Sequence, residues 1–141
     1  MIGAIMARKA IRGQFTAINN HDLATFMLNI SDDCTFVYPG NLAVSGTYQG
    51  KPAIEGWFQR MFERFPTIEF TVRDICLRNA WDFLGNNVIA ALWDVHVITR
   101  GGFEGRNTGV TTITSRRRKA LHIREVLFAQ DDNWRQCWGA M

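Results

Sequence analysis

Neither face of the segment Val88–Thr99 is polar, and this constrains the fold more than any other feature of the chain. Side chains alternate across a strand. Ile89, Ala91, Trp93, Val95 and Val97 therefore share one entirely apolar face. Val88, Ala90, Leu92, Asp94, His96 and Ile98 share the other, which is apolar except for two ionisable groups. A strand apolar on both faces is buried on both. Helices of the same chain cover one side of such a sheet. The other side calls for a second partner, most simply another copy of the chain, so a homodimer through the outer sheet face is expected.

The helices come first. Ile2, Ile5, Met6, Ile11, Phe15 and Ile18 recur at roughly helical spacing up to Asn19-Asn20. Asp22 is placed to accept hydrogen bonds from free amides and open a short helix with Leu23, Phe26, Met27 and Ile30 on its apolar face. Ser31-Asp32-Asp33 ends it. Cys34–Tyr38 reads as a strand closed by Pro39-Gly40, and a loop is expected from Asn41 to Gly50. Pro52 suits a first helical turn. Ile54, Trp57, Phe58, Met61, Phe62 and Phe65 then follow the i, i+3, i+4, i+7 template to Pro66.

From Thr67 the period switches to two. Strands are expected at Thr67–Phe83, Asn87–Thr99, Arg106–Arg116 and Ala120–Gln130, joined by hairpin-like turns and hence antiparallel. In the first of these the apolar set shifts parity between Phe70/Val72 and Ile75/Leu77, which predicts a bulge near Arg73-Asp74 that bends the sheet. No repeat, linker or low-complexity stretch interrupts the chain. The expectation is one α+β domain over residues 1–141, with N-terminal helices on a curved, mostly antiparallel sheet.

At 141 residues, 47% hydrophobic and 21% charged, the composition is that of a globular domain. The net charge of +3 is concentrated in Arg116, Arg117, Arg118 and Lys119, the tip of an expected hairpin, with no interleaved aromatics; no nucleic-acid partner is expected. The longest apolar run, Val88–Trp93, falls far short of the roughly eighteen residues of a spanning helix, so no membrane partner is expected. Cys34, Cys76 and Cys137 are odd in number, distant and without paired spacing. With no secretion signal, free thiols and a cytoplasmic location follow.

Asp94 and His96 point to the same face of their strand. On the last strand Leu121, Ile123, Glu125 and Leu127 share a face on which Glu125 is the one polar member. If both faces line one concavity, Asp94, His96 and Glu125 converge in an apolar pocket, where desolvation and like charge would raise a carboxyl pKa and supply an acid and a base near neutral pH. The same alternation also describes the solvated side of a strand. Trp57, Phe58, Phe62, Leu92, Ile123 and Leu127 are the expected lining, though core packing accounts better for most of the aromatic ones. Tyr38 is either a donor in the cavity or a hydroxyl at its rim. His122 and Glu125 have opposite parity and no tight ligand spacing exists, so no metal and no cofactor are expected.

Asp32-Asp-Cys-Thr-Phe-Val-Tyr-Pro-Gly, followed by Ser45-Gly-Thr-Tyr-Gln-Gly-Lys-Pro-Ala-Ile-Glu-Gly-Trp-Phe, resembles the SnoaL-like polyketide cyclase branch of the nuclear transport factor 2-like superfamily. There a strand ending Pro-Gly leads through Gly-x-Tyr-x-Gly-Lys/Arg into a helix. The order of elements agrees over nearly the whole chain. The usual Asp-Gly-Lys-Ile turn before the last strand is replaced by Arg-Arg-Arg-Lys-Ala-Leu. The resemblance implies a cone-shaped fold with a pocket between helices and sheet, dimeric through the outer face. Cyclases, ketosteroid isomerase, epoxide hydrolase, dehydratase and non-catalytic binding domains all use it. The acidic residue of the last strand looks like Glu125, and the polar groups of the earlier strand look like Asp94 and His96. The epoxide hydrolase Arg-x-Asp pair and the isomerase's first-helix tyrosine have no counterpart. The implied function is a cofactor-independent cyclase, isomerase or hydrolase acting on a small hydrophobic molecule, or a binding domain of the same shape.

Overall fold

The computed structural model describes residues 2–139. Met1, Ala140 and Met141, the ends of the domain expected over 1–141, lie outside the described residues. Helix α1 (Ile2–Asn19) and helix α2 (Leu23–Leu28) lead into strand β1 (Ile30–Tyr38), strand β2 (Gly46–Gln49) and helix α3 (Lys51–Arg64). Strands β3 (Thr67–Leu77), β4 (Asn87–Ile98), β5 (Glu104–Arg116) and β6 (Lys119–Leu127) follow, and helix α4 (Asp132–Trp138) comes last. The strands form a single six-stranded sheet in the order β2-β1-β6-β5-β4-β3. Every pairing is antiparallel except β1 with β6, where the chain returns beside its first strand in the same direction.

The local chemistry explains most of the element boundaries. Asp22 caps α2 by accepting from the Thr25 amide at 3.2 Å, and Pro52 lies in the first turn of α3. The register of β3 on β4 slips between Val72 and Asp74, where the parity shift predicts a bulge. The differences also have local causes. β1 begins at Ile30 rather than Cys34, because the Asn29 carbonyl accepts from the Ala120 amide and ties this stretch to β6. The expected loop holds β2, whose residues pair with the end of β1. β3 stops at Leu77 and not Phe83. Beyond it the side chains of Asn79 and Asp82 accept from the amides of Trp81 and Leu84 and turn the chain. The last strand stops at Leu127 and not Gln130. Asp131 then accepts from the Trp134 amide at 3.0 Å and opens α4, which periodicity alone does not announce.

The helices fix which side of the sheet is inside. α3 buries Ile54, Trp57, Phe58 and Met61, and the Trp57 indole N–H donates to the Val44 carbonyl at 3.0 Å. Asn19 at the end of α1 holds the Phe70 backbone through both its amide oxygen (2.8 Å) and amide nitrogen (3.0 Å), which clamps the helix to β3. On β4 it is Ile89, Ala91, Trp93, Val95 and Val97 that face the helices and are buried. Burying a side chain as large as Trp93 contributes about 2–3 kcal/mol. On the same face of the neighbouring strand the register brings Thr111 beside Ala91 and Gly109 beside Trp93, whose ring lies over that glycine. Around this packed point the curved sheet and the helices leave a space that neither fills.

Candidate functional site

That space is a cavity of about 170 Å³ between helices and sheet. Its walls are apolar: Ile11, Phe15, Trp57, Phe58, Trp93 and Leu127 are representative. The β5–β6 register sets Thr111 against Glu125 and Ile113 against Ile123, so the alternation that points Ile123 and Leu127 inward points Glu125 inward between them. The accessible part of Glu125 faces the cavity it lines rather than the outer surface.

A short relay holds the carboxyl. The Trp93 indole N–H donates to the Thr111 hydroxyl at 2.8 Å, and that hydroxyl donates to Glu125 Oε2 at 2.7 Å. Oε1 takes no hydrogen bond among the described residues. Burial pushes the Glu125 pKa up to about 7, against which the Thr111 hydrogen bond pulls only partway back. No cation among the described residues offsets the desolvation. The carboxyl therefore holds and releases a proton near neutral pH, with one oxygen free to face a guest molecule.

A second polar group lies in the same cavity. The Tyr38 hydroxyl accepts from the Trp138 indole N–H at 3.2 Å and donates to no protein group among the described residues. Burial first, and the charge of Glu125 in addition, raise its pKa, so it stays protonated as a donor. Trp134, on α4, also acts on the Tyr38 oxygen, but outside hydrogen-bonding geometry. Its Nε1–H has no partner among the described residues although the residue is 4% exposed. An unpaired buried donor costs about 1–3 kcal/mol, and both Trp134 and Trp138 line the cavity. These two donors come from a helix that strand patterning missed. The signal was Asp131-Asp132-Asn133 just ahead of Trp134, a helix start in the middle of polar residues.

Asp94 and His96 do not join this site. Alternation places them on the outer face of β4, because the entirely apolar set of that strand is the one the helices cover. Arg73 Nε donates to Asp94 Oδ2 at 2.6 Å and the Thr108 hydroxyl to Oδ1 at 2.9 Å. These bonds, the Arg73 one foremost, hold the Asp94 pKa below the usual carboxylate range. His96 lies 2.8 Å from Glu104 and 3.8 Å from Glu69. The expected convergence of three ionisable groups thus reduces to Glu125 alone. Leu92 shares the outer face with Asp94 and lines nothing inside. Phe62 is also outside the lining: it packs between the Phe58 ring and a stacked His21. Trp57, Phe58, Ile123, Leu127 and Tyr38 do line the cavity. Cys34, Cys76 and Cys137 are all free thiols. Among the described residues no group of His, Cys, Asp and Glu is arranged to hold a metal, and no helix is long and apolar enough to cross a membrane.

The fold has known relatives. The structure of Bal32a, from a soil-derived mobile gene cassette, matches with a TM-score of 0.81 at 16% identity, over 96% of this chain and 98% of that one. A Mycobacterium tuberculosis protein in complex with estradiol-17beta-hemisuccinate matches with a TM-score of 0.71 at 16% identity, covering 92% and 95%. A putative polyketide cyclase from Xanthomonas campestris pv. campestris matches at 0.67 and 16% identity, covering 87% and 90%. At that identity the likeness is one of fold, and the fold is NTF2-like. No curated protein sequence matches this chain. The family model of the SnoaL-like domain matches residues 11–123, and the chain belongs to that family.

Proposed function

We propose that the cavity takes a small, largely apolar molecule bearing one polar group, and that Glu125 exchanges a proton with it without help from a cofactor. The observation that carries this reading is the carboxyl's setting, buried among apolar walls and held by a single hydroxyl, a setting in which burial pushes its pKa up to about 7. A group poised there is populated in both forms at neutral pH, which is what a general acid or base requires. Tyr38 and Trp134 supply donors for an oxygen on the guest, where charge would develop as a proton leaves a neighbouring carbon. Cyclisation and isomerisation of small hydrophobic metabolites share such a step, whereas in hydrolysis the same carboxyl would take its proton from water. Proteins of this fold crystallised with polyporic acid or estradiol-17beta-hemisuccinate support a guest of that general kind.

The second reading is a binding domain without catalysis. The outward placement of Asp94 and His96 favours it, because Glu125 is left without an ionisable partner of complementary role. Proton exchange at carbon separates the two. In D2O, β-tetralone, an apolar bicyclic ketone with acidic α-hydrogens, should exchange them faster with wild type than with Glu125→Gln. Binding of β-tetralone with no acceleration by either protein would leave the binding domain as the function. In either case we place a second copy of the chain on the outer sheet face, where Val88, Ala90, Leu92 and Ile98 are only half-buried in the single chain. Sedimentation equilibrium giving the mass of one chain would contradict that placement.

A further inference from the structure

Three segments meet where the cavity opens. The Ala4 amide donates to the Ala80 carbonyl at 3.0 Å, tying the start of α1 to the β3–β4 connection. The Arg118 amide donates to Gly85 O at 3.1 Å and the Arg117 amide to Asn86 Oδ1 at 2.9 Å, tying that connection to the β5–β6 turn. Met6, Phe83 and Arg118 are each exposed and each line the cavity, so they stand at its rim.

This rim collects two kinds of uncovered side chain. Of the nine large apolar side chains exposed among the described residues, six belong to two of the segments that meet there: Ile2, Ile5 and Met6 of α1, and Trp81, Phe83 and Leu84 of the connection, with Met6 and Phe83 lining the cavity itself. Trp81 is 73% exposed. A cluster of that kind marks an interaction site rather than chance exposure. Beside it Arg117, Arg118 and Lys119 are exposed and make no ion pair among the described residues. Arg116 differs, since it lies near enough to Asp33 to help hold that carboxyl's pKa down.

We infer that the rim docks on an anionic lipid surface. The apolar side chains enter the boundary between headgroups and acyl chains, and the three cations that make no ion pair among the described residues meet headgroup phosphates, Arg118 while also donating to the Phe83 carbonyl at 3.3 Å. A second copy seated here would set two basic turns against each other and stop the cavity's mouth. An acidic protein would satisfy the cations but offers no reason for six apolar side chains around the opening of an apolar cavity. A lipid surface accounts for both. It also delivers an apolar guest without a passage through water, a consequence that rests on the function proposed above, whereas the docking does not. The sequence suggested no membrane partner because it has no spanning segment; a surface dock needs none.

The test is co-sedimentation of the full chain with vesicles of phosphatidylcholine alone and of phosphatidylcholine mixed with phosphatidylglycerol, with no guest added. That independence keeps its failure separate from any failure of Glu125 chemistry. Binding should be at least about tenfold tighter to the mixed vesicles, from the three cations. Trp81→Ser with Leu84→Ser, shown folded by circular dichroism, should lose about tenfold. No binding to either vesicle would overturn the inference. So would unchanged binding by the double variant, or binding to polyglutamate as tight as to the mixed vesicles, which would point to an acidic protein instead. A wild-type dimer dissolved by the double variant would show that a second copy covers the rim.

Discussion

Two carboxylates lie two strands apart in the same sheet, Asp94 on the outer face of β4 and Glu125 on the inner face of β6. Each is an acid on a strand face that is otherwise largely apolar. In the single chain Asp94 meets solvent, a guanidinium and a hydroxyl, and its pKa falls. Glu125 meets apolar walls and one hydroxyl, and its pKa rises to about 7. The residue type and the strand pattern are nearly the same in the two places. What differs is which face the helices cover, and that decides whether an acid becomes half of a surface ion pair or a proton-transfer group.

The comparison breaks most readily where the inner face leaves no spare room. A Cβ on Gly109 would sit 2.5 Å from the Trp93 ring and 2.5 Å from the Val126 carbonyl. Gly109→Ala should therefore cost about 3 kcal/mol or more, since the Trp93–Thr111–Glu125 relay must shift with the ring. Denaturant unfolding measures it, and a cost near zero would mean that the ring is not packed over that glycine.

Next in size is the pH dependence set by Glu125. Its folded pKa lies above the ordinary 4.5, so the unfolded chain gives up the proton first as pH rises. The stability it contributes is full below about pH 4.5 and lost as pH rises through about 7, by roughly 3 kcal/mol. Glu125→Gln should flatten that part of the stability profile and raise the melting temperature at pH 8. Parallel profiles for the two proteins would place the carboxyl in water.

Asp94→Asn sharpens the contrast from the other side. Asp94 is held ionised, so its contribution exists above the ordinary carboxylate pKa and fades as pH falls. The pair with Arg73 is exposed, and exposed pairs contribute little. The variant should melt close to wild type at pH 8 and leave β-tetralone exchange unchanged. Lost exchange in this variant would restore Asp94 to the site.

The sequence made some of this legible and not the rest, for physical reasons. Helical spacing in Ile54–Phe65 and the two-residue period after Thr67 reported burial directly; the helix formed where its period placed it, and the strand began at Thr67 but ended at Leu77, short of the expected Phe83. The parity shift at Arg73-Asp74 announced the bulge. The inward turn of Glu125 was legible because Ile123 and Leu127 share its face. The position of Asp94 and His96 was not, because a strand apolar on both faces carries no mark of which one the helices take. Trp134 and Trp138 were missed for a different reason. Their helix is short, starts from a polar turn, and is held by Arg64 reaching the Cys137 carbonyl from α3, a contact no local pattern reveals.

The central claim is that one carboxyl in this chain titrates near neutrality inside an apolar cavity. Carbon-13 NMR of glutamate side-chain carboxyls, followed from pH 3 to pH 9 in wild type and Glu125→Gln, tests it directly. The account predicts a resonance with its midpoint near pH 7 that is absent from the variant. If no resonance with a midpoint near pH 7 is lost in the variant, Glu125 is solvated, and the acid/base reading of the cavity is wrong.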